Sequence, residues 1–169
     1  MIVLQKNRYF CGMDAQKYGF LDTPLNFPQF DFKLEETEGK ISIFDSLRKK
    51  NLILTPEEWV RQHMIAYLIH YHGYPKNLIA LEKGLKYNQL QKRSDILVLD
   101  REGGAFLLIE CKAPEVKLSQ KTVQQVAVYN QAIQAPFVGI SNGLQHVFLA
   151  FDRAGKSYDQ LSQIPRFEV

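Results

Sequence analysis

Two short apolar runs separated by a glycine pair constrain this chain more than any other feature. Ile96, Leu97, Val98 and Leu99 form the first run, and Phe106, Leu107, Leu108 and Ile109 form the second. Runs this short, bounded by turn residues, fit strands buried on both faces. Between them lie Arg101, Glu102, Gly103 and Gly104. Paired glycines supply the positive φ that a tight hairpin loop needs. The stretch from Arg93 to Pro114 is therefore expected to be an antiparallel hairpin.

The register of that hairpin decides where its charges meet. With a four-residue loop and Asp100 opposite Ala105, counting back puts Asp95 opposite Glu110 and Arg93 opposite Lys112. Directly opposed side chains sit roughly 4.5–5.5 Å apart at Cβ, and period-two alternation places Glu110 and Lys112 on one face. Two opposed carboxylates repel, and the cost rises as they lose water. A hard cation such as Mg²⁺ removes that cost, because it is commonly held by one or two carboxylates with waters and substrate phosphates. An ion-pair network among Asp95, Glu110 and Lys112 at the sheet end is the purely structural alternative. An acid, a hairpin of the right length and a Glu-x-Lys closing an apolar strand form a more specific combination than Glu-x-Lys alone, and they point to the metal site. Cys111 lies between the two charged residues and should face the opposite way, into packing.

The rest of the chain alternates helical and strand patterns. Phe30 to Glu35 and Lys40 to Asp45 alternate with period two around Glu36-Thr37-Glu38-Gly39, which predicts an N-terminal β-hairpin. Ser46 to Asn51 carries Arg48, Lys49 and Lys50, a basic cluster that reads as a solvated segment able to touch a phosphate backbone. Thr55-Pro56-Glu57-Glu58 marks a helix start, with Thr55 as N-cap and Glu58 closing a capping box. Val60, Met64, Leu68 and Tyr71 keep helical spacing, so the helix should run to about His72. On that wheel Glu57 falls on the inward face and Glu58 off it. An inward carboxylate needs a partner, and both Arg61 one turn on and the metal site qualify. A strand is expected over Asn77–Tyr87. A second helix is expected from an N-cap at Ser119 to Gln134, with Gln125 and Tyr129 at the border of its apolar stripe. Strands follow over Phe137–Ile140 and Val147–Phe151, joined by the Ser141-Asn142-Gly143 turn. The tail from Asp152 reads as loosely attached.

Composition bounds the class. The chain has 169 residues, 46% hydrophobic and 23% charged, and a net charge of +3, values ordinary for one globular domain. No apolar run reaches the length of a membrane span, and no signal peptide is visible. Two cysteines, Cys11 and Cys111, make neither a disulfide framework nor a zinc set. A reducing, cytoplasmic setting is expected. No phosphate-binding glycine loop and no serine nucleophile elbow occurs. The order of helix, strand, hairpin, helix and two strands implies an α/β fold, a mixed β-sheet flanked by α-helices.

Several markers from Phe44 to Phe151 carry a resemblance. They are Phe44 to Lys50, Leu54 to Gln62, Arg93-Ser94-Asp95, Glu110-Cys111-Lys112, Gln125 to Tyr129, and Ser141-Asn142-Gly143. Together they resemble the PD-(D/E)xK nuclease superfamily, in the branch that forms the N-terminal domain of type I restriction enzyme R subunits. The resemblance implies a restriction-endonuclease-like fold over residues 30–155, preceded by an arm of unassigned role at 1–29 and followed by a tail at 156–169. It implies that Asp95 and Glu110 bind Mg²⁺, or Mn²⁺ in its place, with the Cys111 carbonyl as a further ligand. It implies that Lys112 positions the attacking water or stabilises charge on the phosphate. Glu57 matches the acidic residue of the first helix, and Gln125 and Tyr129 match a motif that supports the site or contacts DNA. Ser94 stands where the motif has proline, a position that shapes the strand start and carries no chemistry. R subunits continue into a motor, and no Walker motif occurs here, so ATP-driven translocation is not expected of these residues. The expected partners are DNA, a separate motor or specificity subunit, and a second copy of the chain, since cutting both strands with one site per chain favours a dimer. A non-catalytic nucleic-acid-binding or assembly module that retains the fold is the alternative.

Overall fold

The computed structural model describes residues 15–81, 95–152, 154 and 157–167. Cys11, Arg93, Ser94 and most of the strand expected over Asn77–Tyr87 lie outside the described residues. Helix α1 (Ala15–Tyr18) leads into a three-stranded antiparallel sheet of β1 (Leu34–Thr37), β2 (Lys40–Asp45) and β3 (Lys50–Ile53). Helix α2 (Pro56–Ala66) follows and continues as a π-turn over Tyr67–Tyr71. The six-stranded sheet has the order β4 (Ile79–Leu81), β5 (Ile96–Leu99), β6 (Ala105–Cys111), β7 (Phe137–Ser141), β8 (His146–Asp152) and β9 (Ser157–Leu161). Helix α3 (Gln120–Ile133) connects β6 to β7 and makes that pair the one parallel pair of the sheet. A crossover helix is what a parallel connection requires. The result is the expected mixed α/β fold.

The central hairpin has the expected register over its body. Ile96 faces Ile109, Leu97 faces Leu108, and Val98 faces Leu107. Both faces are covered. Ile96, Val98, Leu107 and Ile109 pack with Val60, Met64 and Leu68 of the α2 segment. Leu97 and Leu108 pack with Val126 of α3 and with Val138 and Ile140 of β7. The turn end differs from expectation: the register slips at Leu99, which faces Ala105. Asp100 is the cause. Its Oδ1 accepts the amides of Glu102 at 2.9 Å and Gly104 at 2.7 Å, and its own amide donates to the Gly104 carbonyl at 2.8 Å, so Asp100 closes the loop on Gly104 and not on Ala105. Of the two loop glycines only Gly103 has positive φ, at 86°. A Cβ at Gly104 would lie 2.6 Å from Asp100 Oδ2, so a larger residue there would have to displace the carboxylate that holds the loop.

Other differences lie at the sheet edges. The segment at Ser46–Asn51 is largely exposed as expected, but its last two residues, Lys50 and Asn51, form the first half of β3, which pairs with β2 from Asp45 opposite Lys50 to Ser42 opposite Ile53. The tail is also integral. Strand β9 pairs with β8, Ile164 is buried, and the Tyr74 hydroxyl donates to the Pro165 carbonyl. In the N-terminal arm, the Ile41 amide donates to the Tyr18 hydroxyl at 3.0 Å, and Asn26 N donates to the Gly143 carbonyl at 2.7 Å.

Helix α2 is covered on two sides, which explains why Val60 to Ala66 are all buried. Val60 and Met64 face the large sheet, while Trp59 packs against Leu34, Ile41 and Ile43 of the small one. Asp45, fully buried at the end of β2, ties the small sheet to this helix. Its Oδ1 accepts the amides of Leu47 at 2.8 Å and Arg48 at 2.9 Å. Its Oδ2 accepts Gln62 Nε2 at 3.1 Å and pairs with Arg48 at 3.3 Å. Replacing Asp45 with Ala leaves buried donors without this acceptor and should cost roughly 3 kcal/mol in denaturant unfolding. Asp45→Asn, which keeps an acceptor for the two amides, should cost less. A loss for Asp45→Ala no larger than that of an exposed ion pair, about 1 kcal/mol or below, would contradict this role.

Candidate active site

Thr55 starts α2 as expected: its hydroxyl accepts the Glu58 amide at 3.1 Å. The two glutamates that follow divide differently from the wheel. Glu58 is the buried one, at 7% exposure, while the Glu57 side chain is 43% exposed. The single-stripe reading fails because α2 has two covered sides, and Glu58 turns towards Gln62 and Arg61 between them. Gln62 Nε2 donates to Glu58 Oε1 at 2.8 Å. Arg61 Nη1 donates to Glu58 Oε2 at 2.5 Å.

Arg61 links the helix to the sheet. Its Nη2 donates to Asp95 Oδ1 at 2.9 Å and lies 3.4 Å from Glu57 Oε1. Asp95 stands one residue ahead of β5, where extension of the ladder places it opposite Glu110. Being outside the strand, it can reach both α2 and the next strand, and its Oδ2 accepts the Cys111 amide at 2.7 Å. On β6, Glu110 accepts from Lys112 Nζ at 2.5 Å. Cys111 between them points its thiol into the core, and burial pushes that thiol well above its ordinary value. Such a thiol is inert. Lys112 is held in place by its own backbone, whose amide donates to the Ser141 carbonyl at 2.8 Å. The Ser141-Asn142-Gly143 turn is fixed in turn by Asn142, which accepts the amides of Leu144 and Gln145 and donates to the Val116 carbonyl.

The structure thus brings Glu57, Asp95, Glu110, Cys111 and Lys112 to one end of the β5–β6 pair. Gln125 and Tyr129 lie on α3. Gln125 is exposed, and Tyr129 packs against the cluster of Leu97, Leu108 and Val126. Asp45, Arg48, Glu58, Arg61 and Gln62 are the members of the polar network that the sequence did not assign to a site. The only signal for Arg61 was its place one turn beyond Glu57.

Electrostatics mark the cluster as short of positive charge. Among the described residues the network from Asp45 to Lys112 has five carboxylates (Asp45, Glu57, Glu58, Asp95, Glu110) and three cations (Arg48, Arg61, Lys112). Burial raises the Glu110 pKa above its ordinary value, and the charges of Asp95 and Glu57 add to the rise against Lys112. Glu57 is raised by burial and then by Asp95, with Lys112 and Arg61 opposing. Burial opposes charge on Lys112, but its bond to Glu110 and the charges of Glu110, Glu57 and Asp95 outweigh it and raise its pKa.

No group of three or more His, Cys, Asp and Glu among the described residues forms a ready-made cation cage. The donor set still fits a hard cation of the Mg²⁺ kind. Such an ion keeps several waters and needs only one or two carboxylates, and Asp95 with Glu110 supplies two under mutual repulsion.

The family model for the N terminus of the type I restriction enzyme R protein matches residues 56–165. The chain belongs to that family. A solved fragment assigned as an HsdR subunit of a type I restriction enzyme from Vibrio vulnificus YJ016 is similar at 24% identity and a TM-score of 0.47, over 67% of this chain. The chain spans 24% of that protein's length. No curated protein matches significantly. Glu57, Asp95, Glu110 and Lys112 lie within the matched residues. Among the described residues no helix is long and apolar enough to cross a membrane.

The raised pKa of Glu110 has a testable sign. Its folded pKa exceeds the ordinary 4.5, so the folded state binds the proton first as pH falls. Wild type should therefore gain stability relative to Glu110→Gln as pH drops from neutral through the folded pKa towards 4.5. Urea unfolding of both proteins at a series of pH values measures this. The opposite slope would mean that Lys112 holds Glu110 ionised more strongly than burial and its acidic neighbours protonate it.

Proposed function

We propose that this R-protein N-terminal domain is a Mg²⁺-dependent DNA endonuclease module of the PD-(D/E)xK type. The observation that carries the reading is the convergence of Asp95, Glu110 and Lys112, with Glu57 beside them, at one sheet end where carboxylates outnumber cations. Asp95 and Glu110 would hold the metal, with the Cys111 carbonyl as a further donor. When bound, the metal lowers the pKa of a water and offsets charge on the scissile phosphate.

The protein's own groups divide the remaining work. The Cys111 amide and Arg61 orient Asp95 through its two oxygens. Lys112 is held protonated by its acidic neighbours. Its part is therefore to donate hydrogen bonds to the phosphate or to the attacking water, and not to remove a proton. A positive group aimed at developing oxyanion charge is worth about 10²–10³ in rate. Glu57, made a better base by burial and by Asp95, supports the site from α2. Gln125 and Tyr129 on α3 would contact DNA or brace the site from its far side. Mn²⁺ would substitute for Mg²⁺. The partners this reading entails are DNA, a motor or specificity subunit, and a second copy of the chain for double-strand cutting.

One observation favours the non-catalytic alternative. Both Asp95 oxygens and one Glu110 oxygen already have protein partners, as a structural ion-pair network would. A non-catalytic nucleic-acid-binding module predicts DNA binding that weakens steeply with salt, without cleavage, and a purely structural ion-pair cluster predicts a thermal stability that Mg²⁺ and chelators leave unchanged. Supercoiled and linear DNA incubated with Mg²⁺ or Mn²⁺ and with wild type or Lys112→Ala separates the two. The nuclease reading expects cutting by wild type and a loss of about a hundredfold or more in the variant. Equal cutting by both would assign the activity to another site. Binding without cutting by wild type would favour the alternative.

A further inference from the structure

We propose that Arg61 is the resident counter-ion of the metal site and sets how tightly Asp95 and Glu110 take a divalent cation. The inference rests on the metal-site reading above and concerns a residue outside the motif that defines it.

Three carboxylates share one guanidinium. Arg61 is 6% exposed and reaches Glu58 at 2.5 Å, Asp95 at 2.9 Å and Glu57 at 3.4 Å. Its charge is permanent, because arginine does not lose its proton in proteins. Asp95 meets Arg61 through Oδ1 and the Cys111 amide through Oδ2. A carboxylate has about four lone-pair sites, so each oxygen retains capacity for a metal. A cation entering between Asp95 and Glu110 therefore shares Asp95 with a fixed positive charge. Repulsion between them weakens cation binding, while the same positive charge keeps the buried acids paired when no metal is bound. Arg61 acts through Asp95 and is a positioning residue, not a catalytic one.

The sign of one substitution separates this role from simple bracing. If Arg61 only orients Asp95, removing it disorders a ligand and weakens metal binding. If it is the counter-ion, removing its charge tightens metal binding although the metal-free protein becomes less stable. The experiment follows thermal unfolding of the 169-residue chain during MgCl₂ titration. The half-saturating Mg²⁺ concentration of Arg61→Gln should fall about tenfold, the effect of removing one like charge at close range under partial screening. Arg61→Lys keeps the charge and should stay near wild type. Should Arg61→Gln not fold, the same comparison is made between Glu58→Gln and the Glu58→Gln/Arg61→Gln pair, which leaves no charge on Glu58 to be stranded. The expected direction is the same.

An unchanged or raised half-saturation point on removing Arg61 overturns the proposal, as does a Lys variant that behaves like the Gln variant. Glu110→Gln serves as the reference. A Mg²⁺ response present in wild type and lost in Glu110→Gln upholds the metal reading whatever Arg61 does. No response in wild type would defeat that reading and this inference with it.

Discussion

The ion pair between Arg61 on α2 and Asp95 ahead of β5, at 2.9 Å, is the interaction on which the site's geometry depends. It is a direct polar link between the helix that divides the two sheets and the strand pair that carries Glu110 and Lys112. From it a chain of hydrogen bonds runs through Glu58 and Gln62 to Asp45, and so to the small sheet. Buried charges are costly unless paired, and breaking one pair strands its partner. This network therefore makes the small sheet, α2 and the large sheet adopt one relative position.

The apolar parts of the fold do a different job. Covering β5 and β6 from both sides gives the hairpin one register, because a slip of one residue would exchange its two buried faces. That register delivers Asp95 and Glu110 to the same end. The parallel β6–β7 pair, made by the α3 crossover, then brings the Ser141 carbonyl to the Lys112 amide. Backbone packing thus places the acids and the lysine, and the polar network orients them. A site made this way has more carboxylates than cations, an imbalance that raises the affinity of Glu57 and Glu110 for protons and that a bound cation would relieve under the proposed reading.

Much of this was legible in the sequence, for identifiable reasons. Ile96–Leu99 and Phe106–Ile109 are apolar on every residue and of matching length, so the body of their register follows from counting. The slip at Leu99 did not follow, because it depends on the Asp100 side chain capping its own loop. Strands β3 and β9 were not legible. Lys50 and Asn51, and Asp159 and Gln160, put exposed polar residues on edge strands, where burial leaves little pattern. The inward glutamate was misassigned because a single apolar stripe presupposes one covered face, whereas α2 has two. Family membership, which the markers from Pro56 onward suggested, is established by the match over residues 56–165.

Under the proposed function, the acids at the end of the β5–β6 pair are arranged to receive a hard divalent cation. Crystals of the protein soaked in millimolar Mn²⁺, with anomalous difference maps, address it most directly. One peak is expected between the carboxylates of Asp95 and Glu110, at coordination distance of about 2.1 Å. A map with no peak there, or with Mn²⁺ bound only elsewhere, would contradict it and leave the cluster a structural ion-pair network.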